Sequence, residues 1–427
     1  MALPAALSFL QSCHPAILQS GGVREAGALD AIDGVQPRAV VEPDSPELLA
    51  ELLACSSRER LSIVLRGGGT KLGWGRRPAG IDLVAGTRRL NRVLAHAYGD
   101  LTATVEAGAT LGDVNRELAR HRQWLPLDTA FDGSTVGGTI ATNESGPVRH
   151  RHGTPRDLLI GIHLATTDGL LVKAGGNVVK NVAGYDLGKL MSGSFGSLAA
   201  IVSATFKIAP MPPASTTLVA TFRDRQATAQ AVSAVDSSQL EPAAFDLHVA
   251  HESSPPRQLT LFIRFATTAA AIDAQIDDAR RLLAADHVDL VSGAPETQLW
   301  RDHARCLWTA GGAIVRVSWP PAALERVLAL VERIGREGAS AIELVGRAGV
   351  GAGLVRVSGD TTTQVRAIEH LRAMPDVIGN VVVLRADLAV KERADVWGPP
   401  GDAVALLRAV KTALDPAGIL NAGRGPV

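Results

Sequence analysis

The run Arg66-Gly67-Gly68-Gly69-Thr70-Lys71-Leu72-Gly73-Trp74-Gly75 is suited to holding a small anion. It follows the apolar stretch Leu61-Ser62-Ile63-Val64-Leu65, which reads as a buried strand. Glycines let a backbone turn with positive φ and approach a ligand closely. Successive N–H groups in such a turn make a concave anion site. A phosphate or pyrophosphate is the expected guest. The run is not a Walker A loop, because no Gly-Lys-Ser/Thr follows at the required spacing. It is not a Rossmann fingerprint either, because Leu72 stands where the third glycine belongs. Arg66 and Lys71 are candidates to neutralise phosphate charge, and equally candidates for solvated surface charges.

Two further small-residue segments follow. One is Gly133-Ser134-Thr135-Val136-Gly137-Gly138-Thr139-Ile140-Ala141-Thr142-Asn143-Glu144-Ser145-Gly146. The other is Gly184-Tyr185-Asp186-Leu187 with Gly193-Ser194-Phe195-Gly196-Ser197-Leu198 and, beyond it, Ile201. Each alone is weakly specific.

These loops need elements to hold them. Ser45-Pro46-Glu47 caps a helix reaching about Arg58, with proline at its first position. Leu101–Val105 reads as a strand, and Thr110 with Asp113 opens a helix over Leu111–His121. Leu158–Thr166 and Leu198–Ile208 are further strands, and Pro210, Pro212 and Pro213 punctuate a domain boundary. Beyond it the order strand, helix, strand, strand, helix, strand occurs twice. It runs from Leu218–Phe222 to Val288–Val291, then from Ala313–Ser318 to Asn380–Arg385. That is the ferredoxin-like order. A last helix, Asp402–Leu414, precedes Asn421.

The chain has 427 residues, enough for two domains with their own cores. Forty-three basic residues balance forty-three acidic ones, which argues against a nucleic-acid or anionic-membrane partner. Cys13, Cys55 and Cys306 are too scattered for a metal cluster or a disulfide framework. No signal-peptide pattern or membrane-spanning run is legible. A cytoplasmic protein is expected, with partner subunits as its route to any membrane surface.

In order and spacing, the glycine segments resemble the FAD-binding domain of the vanillyl-alcohol oxidase / p-cresol methylhydroxylase family. The resemblance is strong over about residues 36–212. It implies an α+β protein: a 1–35 arm, a two-subdomain PCMH-type FAD-binding domain at 36–212, and an α+β cap at 213–427 with a closing segment at 402–427. In that family the first loop and Gly137-Gly138-Thr139-Ile140-Ala141 wrap the pyrophosphate, and the third segment borders the flavin. Leu414-Asp415-Pro416-Ala417-Gly418-Ile419-Leu420-Asn421 is similar to the family's closing motif. Tyr185 is a candidate to edge the isoalloxazine, or else a packed aromatic with a bonded hydroxyl. The first loop has no His or Cys for covalent attachment, so the expected FAD is non-covalent.

Relatives that oxidise 2-hydroxy acids carry His-Ala-Gly-Asp-Gly-Asn-Leu-His, whose histidines hold a divalent metal. The counterpart here is Arg347-Ala348-Gly349-Val350-Gly351-Ala352-Gly353-Leu354. Leu354 cannot be a ligand, and an arginine stays protonated. No metal is therefore expected at these positions. Arg347 is a candidate carboxylate binder or a structural arginine. No iron–sulfur or haem motif supplies an electron exit.

Arg66–Gly75, Gly146-Pro147-Val148-Arg149 with Arg156-Asp157, Val179–Asp186 and Arg316-Val317-Ser318 look like the FAD-binding subunits of bacterial three-subunit glycolate oxidases. The chain departs from them at its N-terminal arm and at His150-Arg151-His152, a candidate for substrate or partner contact or an exposed loop. That resemblance implies a sister flavoprotein, an iron–sulfur subunit and a 2-hydroxy acid substrate. Two alternatives remain open here: a self-sufficient FAD enzyme acting on an alcohol or hydroxy acid, and a flavin-free scaffold. For catalysis the candidates are His150, His152, Arg316 and Arg347, with no base–orienter pair assignable.

Overall fold

The computed structural model describes residue 17 and residues 22–177, 184–250, 258–338, 341–399 and 401–427. The greater part of the 1–35 arm, Cys13 and the 179–183 stretch lie outside the described residues. Contacts divide the chain into two units. One unites Met1–Ser145, Gly153–Met211 and Pro400–Val427; the other unites Gly146–His152 and Pro212–Pro399.

The first unit contains two principal sheets. β1 (Val23–Glu25), β2 (Ala39–Val41), β3 (Ile63–Arg66) and β4 (Leu83–Gly86) lie in the order β1-β2-β4-β3, with β4 parallel to both β2 and β3. Helix α1 (Pro46–Arg58) crosses from β2 to β3. Ser45 caps it, its hydroxyl accepting from the Leu48 N–H at 3.3 Å. Leu49, Leu52 and Leu53 pack from α1 against Ile63, Leu83 and Ala85. Burying each such leucine contributes about 1.5–3 kcal/mol. Cys55, also in this core, is disulfide-bonded, which the scatter of the cysteines did not anticipate.

The second sheet comprises β5 (Val93–Ala97), β6 (Thr102–Glu106), β8 (Leu159–Ala165), β9 (Leu171–Gly175) and β10 (Ala200–Lys207), in the order β5-β6-β10-β8-β9. The short β7 (Gln123–Trp124) pairs separately with β11 (Ala209–Pro210). Helix α2 (Leu111–Leu118) opens on Thr110, whose hydroxyl accepts from the Asp113 N–H at 3.1 Å. Helix α3 (Val136–Thr142) puts Val136 and Ile140 into the core beside Phe206. Its start is capped by Thr135, and it ends at Asn143 in the left-handed region, φ 46°.

The second unit is one antiparallel sheet of eight strands. They are β12 (Thr216–Phe222), β13 (Ala244–Val249), β14 (Leu259–Phe265), β15 (His287–Ser292), β16 (Ala313–Ser318), β17 (Ile342–Arg347), β18 (Ala352–Val357) and β19 (Asn380–Arg385). Their order is β15-β12-β14-β13-β17-β18-β16-β19. Each half thus runs fourth, first, third, second, and the halves join where their second strands, β13 and β17, pair.

Alternation along the strands separates two faces. Phe245, Leu247, Ile263, Val315, Leu344 and Val355 share one core with residues of helices α5 (Arg225–Asp236), α6 (Ala269–Leu282), α8 (Leu324–Gly338) and α9 (Thr361–Arg372). Asp246, His248, Arg316, Glu343, Arg347 and Arg356 occupy the alternate positions. Helix α7 (Gly293–Arg305) brings His303 and Glu296 to that polar face, and helix α4 (Arg149–His152) packs on β13. Among the described residues, no helix is long and apolar enough to cross a membrane.

Candidate functional site

A cleft open to solvent lies in the first unit. Its walls are Arg66–Leu72 and Trp74, the helix residues Gly137, Gly138, Ala141 and Thr142 with Thr135, then Phe195–Ser197, Ala199–Ile201, Asn421, Arg424 and Gly425. The backbone N–H groups of Gly67, Gly68, Gly69 and Thr70 donate no hydrogen bond among the described residues. Four donors are thus left for a guest. Gly69 has φ 78°, the left-handed geometry that curls such a turn. A Cβ on Gly68 would lie 1.9 Å from the Gly133 carbonyl oxygen, so this position admits only glycine without a shift.

The C-terminal segment completes the cleft. The buried Asp415 carboxylate accepts from the N–H groups of Ile419 and Leu420 at 3.1 and 2.8 Å, shaping the turn. Ile63 N–H then donates to Ile419 and Asn421 N–H to the Ile63 carbonyl, both at 2.8 Å, which ties the segment to β3. Asn421 is left beside the glycine loop, its amide donating to Phe195 O at 2.5 Å and its Oδ1 buried without a partner. The Arg424 guanidinium donates to Leu72 O and Trp74 O, and burial pushes its pKa down.

Of the expected cofactor residues, Arg66, Gly67, Gly68, Gly69, Thr70, Lys71, Leu72, Thr135, Gly137, Gly138, Ala141, Thr142, Gly196, Ile201 and Asn421 line this cleft. Gly133, Ser134, Val136, Thr139 and Asn143 do not. Ser134, Val136 and Thr139 are buried, and the Asn143 carbonyl oxygen of its side chain accepts from Arg156 N–H. Gly146 belongs to the second unit. Gly184, Asp186 and Leu187 are not in the wall, and Asp186 caps a short helix through the Lys189 N–H at 3.0 Å. Tyr185 is 91% exposed, which excludes the packed-aromatic reading.

Neither candidate cation is a solvated surface charge. Arg66 is bonded to buried Asp30 at 2.6 Å, and Lys71 is ion-paired with Glu144. Bonds from Arg24 and Arg66 hold the Asp30 carboxyl well below the usual range, against the effect of burial. Trp74, Phe195 and Arg424 were not selected as site residues. Trp74 stood inside the glycine run, and Arg424 lies three positions after Asn421.

The catalytic candidates lie in the second unit. Arg347 Nη1 meets the fully buried Asp246 Oδ2 at 2.6 Å, directly across the β13–β17 register. The carboxylate that Arg347 holds here is thus an internal one. Leu354 lies across the β16–β18 register from Arg316. Arg316 has no hydrogen bond or ion pair among the described residues, and burial with the nearby Arg149 charge lowers its pKa. His150 is half-buried, edge-on to Phe245 at 5.9 Å, with Nδ1 buried and unpartnered. A Cβ on Gly349 would meet Asp236 Oδ1 at 2.4 Å and His150 Cε1 at 3.0 Å, so Asp236 and His150 converge on one point. Burial lowers the His150 pKa and raises that of Asp236. His152 is half-buried, its pKa lowered by burial and by Arg151.

Comparison with known proteins decides the cofactor. Residues 37–175 match the FAD binding domain, and residues 399–424 match the C-terminal domain of FAD linked oxidases. This chain binds FAD. The chain has the PCMH-type FAD-binding fold. It is 34% identical to the glycolate oxidase subunit GlcD of Bacillus subtilis over 49% of its own length and 45% of that protein. It is 31% identical to subunit GlcE of Escherichia coli, over 47% of its length and 56% of that protein. The chain thus spans about half the length of these relatives. Against a D-2-hydroxyglutarate dehydrogenase of Xanthomonas citri the identity is 26%, over 91% of this chain and 89% of the relative. Among solved structures, an alkyldihydroxyacetonephosphate synthase superposes with a TM-score of 0.71 at 16% identity, covering 99% of this chain and 86% of that one. That likeness shows the fold.

The cleft fits FAD. Its four free N–H donors suit a pyrophosphate, the absent Cβ at Gly68 permits close approach, and the orphaned Asn421 Oδ1 offers an acceptor.

Proposed function

We propose that this chain is the FAD-binding subunit of a glycolate-type 2-hydroxy-acid dehydrogenase, working with a sister flavoprotein and an iron–sulfur subunit. FAD is held non-covalently by Gly67–Thr70, Thr135, Gly137, Gly138 and Asn421. Bound FAD supplies the two-electron acceptor for oxidation of an alcohol carbon to a carbonyl.

The observation that carries the substrate class is Arg316. A largely buried guanidinium with no anionic partner among the described residues, near a second arginine charge, is poised for a carboxylate. Arg149 adds a second positive charge to the locus. His150, neutral at physiological pH because burial lowers its pKa, receives the hydroxyl proton at Nδ1. Asp236 orients it. Two of the relatives are glycolate oxidase subunits, which supports glycolate as the acid.

A self-sufficient FAD enzyme is the second reading. It is favoured by the near-complete overlap with the D-2-hydroxyglutarate dehydrogenase.

The test is a visible spectrum of the purified chain before and after anaerobic glycolate. Flavin bands that shift with glycolate in the native chain, and not in Arg316→Met, support the carboxylate site. Bands that bleach without partners favour the self-sufficient enzyme. A glycolate response unchanged in Arg316→Met refutes the assigned site. A chain that takes up no FAD on reconstitution refutes both readings and favours a scaffold.

A further inference from the structure

The polar face of the second unit holds a second group of chemistry-bearing side chains. His248 on β13, Glu343 on β17 and Cys306, just past the end of α7, bring Nε2, a carboxylate oxygen and Sγ within 4.8 Å of one another. None of the three was selected from sequence. They lie 37 to 95 positions apart, so no short motif announces them. Only the sheet register and the length of α7 assemble them.

We propose that His248, Cys306 and Glu343 bind one thiophilic divalent cation, with Zn²⁺ the best match. One imidazole, one thiolate and one carboxylate form a mixed N/S/O set that suits zinc over magnesium or calcium. Three protein ligands leave a fourth position for an exchangeable water. The set is distinct from Arg347 and Leu354, which occupy the positions where metal-binding relatives carry histidine.

Three features of the surroundings favour this reading over a plain polar network. Glu343 already has a partner that fixes its orientation: Arg356 Nη2 donates to Oε2 at 2.5 Å and Nε donates at 3.1 Å. Its other oxygen, Oε1, is the one that faces His248 Nε2 at 2.8 Å. Arg356 thus provides the supporting contact common around metal ligands, and an ion would insert in place of the Oε1–Nε2 hydrogen bond. Cys306 contributes only a weak bond to His303 O at 3.2 Å, so little is lost when it turns to a metal. His248 and Glu343 keep 21% and 12% of their side-chain surface exposed, which gives an ion a way in. A set spread over 4.8 Å must contract by about 1 Å to reach zinc–ligand distances of roughly 2.0–2.3 Å. Rotation of the weakly held Cys306 side chain toward the His248–Glu343 pair supplies that movement.

The proton balance follows. Burial and the Glu343 charge push the Cys306 thiol up to about 11, so it is protonated at neutral pH. Metal binding replaces that S–H proton by an M–S bond and releases one proton to solvent. For His248 to bind through Nε2, the proton that Nε2 donates to Glu343 Oε1 moves to Nδ1 with no net release, and Glu343 binds as the carboxylate.

Co²⁺ titration of the metal-stripped holoprotein is the test, because cobalt d–d bands lie at longer wavelength than flavin absorption. The expected result is saturation at one equivalent, a thiolate-to-cobalt charge-transfer band, and displacement by Zn²⁺. Cys306→Ser should abolish the charge-transfer band, and His248→Gln should weaken binding at least tenfold. Circular dichroism checks that both variants fold. A proton-release measurement in weak buffer should give one proton per cobalt. Absence of saturable binding in the native chain, or unchanged cobalt spectra in both variants, would overturn the proposal.

Discussion

Replacing Gly68 by alanine tests the role of the glycine loop with a single methyl group. The new Cβ would stand 1.9 Å from the Gly133 carbonyl oxygen, whereas real Cβ contacts do not fall below 3.0 Å. The Gly67–Thr70 loop and the turn at Gly133 must therefore separate by at least about 1 Å. A backbone N–H bonded to a phosphate oxygen at about 2.9 Å would stretch to roughly 4 Å, beyond hydrogen-bond range. Each charge-assisted bond lost costs about 1.5–3 kcal/mol. One such loss raises the FAD Kd about ten- to a hundredfold. Strain in the loop itself costs about 1–3 kcal/mol of stability. Flavin-fluorescence titration of apoprotein reads the first effect, and urea unfolding without FAD reads the second. Gly99→Ala is the control, since a Cβ there meets nothing within 4 Å. If Gly68→Ala lowers stability while FAD affinity stays within about twofold of native, the loop does not hold the pyrophosphate.

Other predictions concern charges that the fold buries. Glu144→Gln leaves Lys71 without its carboxylate in a site where both side chains are at most 10% exposed. The apoprotein should lose about 3–5 kcal/mol. Bound FAD should restore part of it, so the FAD-induced rise in denaturation midpoint should exceed the native one; equal increments would show that Lys71 does not reach the phosphates. Arg424→Ala removes the donors to Leu72 O and Trp74 O and should speed FAD release on dilution, with apoprotein stability down by about 1–3 kcal/mol. His303 is buried with its pKa pushed below the ordinary imidazole value by burial, which the Asp246 carboxylate only partly offsets. The unfolded chain therefore takes up its proton first as pH falls below about 6.5. Stability should be level above that value and decline below it. His303→Gln should flatten this part of the urea-midpoint profile, and an unchanged slope would remove His303 as its source.

The elements that hold the cleft were legible because their signals are local. Ser45-Pro46 and Thr110 with Asp113 mark helix starts by side-chain bonds to nearby N–H groups, and both caps form. The strands Ala313–Ser318 and Asn380–Arg385 have the boundaries read from apolar content and turn punctuation. β5 escaped because Val93-Leu94-Ala95-His96-Ala97 is a largely exposed edge without a clear alternation. α3 escaped because Val136–Thr142 is rich in glycine and threonine, weak helix formers. Its formation depends on tertiary packing of Val136 and Ile140. Partners were the illegible part of the site. Nothing near Lys71 in sequence predicts Glu144, and nothing near Arg66 predicts Asp30, because each pair is made by the meeting of distant loops. The polar face of the second unit was hidden for the same reason.

Arg316 and Arg149 offer the sharpest opposition between stability and function. Burial and the nearby Arg149 charge both disfavour the Arg316 guanidinium, and no carboxylate among the described residues pairs with Arg316 to offset that cost. Two other arginines on this face are matched: Arg347 with Asp246, Arg356 with Glu343. An aliphatic side chain suits the Arg316 position better on packing grounds alone, since Leu354 and Val382 are its cross-strand neighbours. Arg316→Met should therefore raise the stability of the ligand-free chain, by about 1–4 kcal/mol if it behaves as other replacements of buried charge by apolar groups do. The same variant should lose the flavin shift on glycolate addition. Urea unfolding of native and variant chains, each with and without glycolate, separates the two effects. Glycolate should stabilise the native chain and leave the variant unmoved. If Arg316→Met destabilises the free chain, the guanidinium is serving the fold through contacts of its own, and the argument that it is held ready for a carboxylate fails.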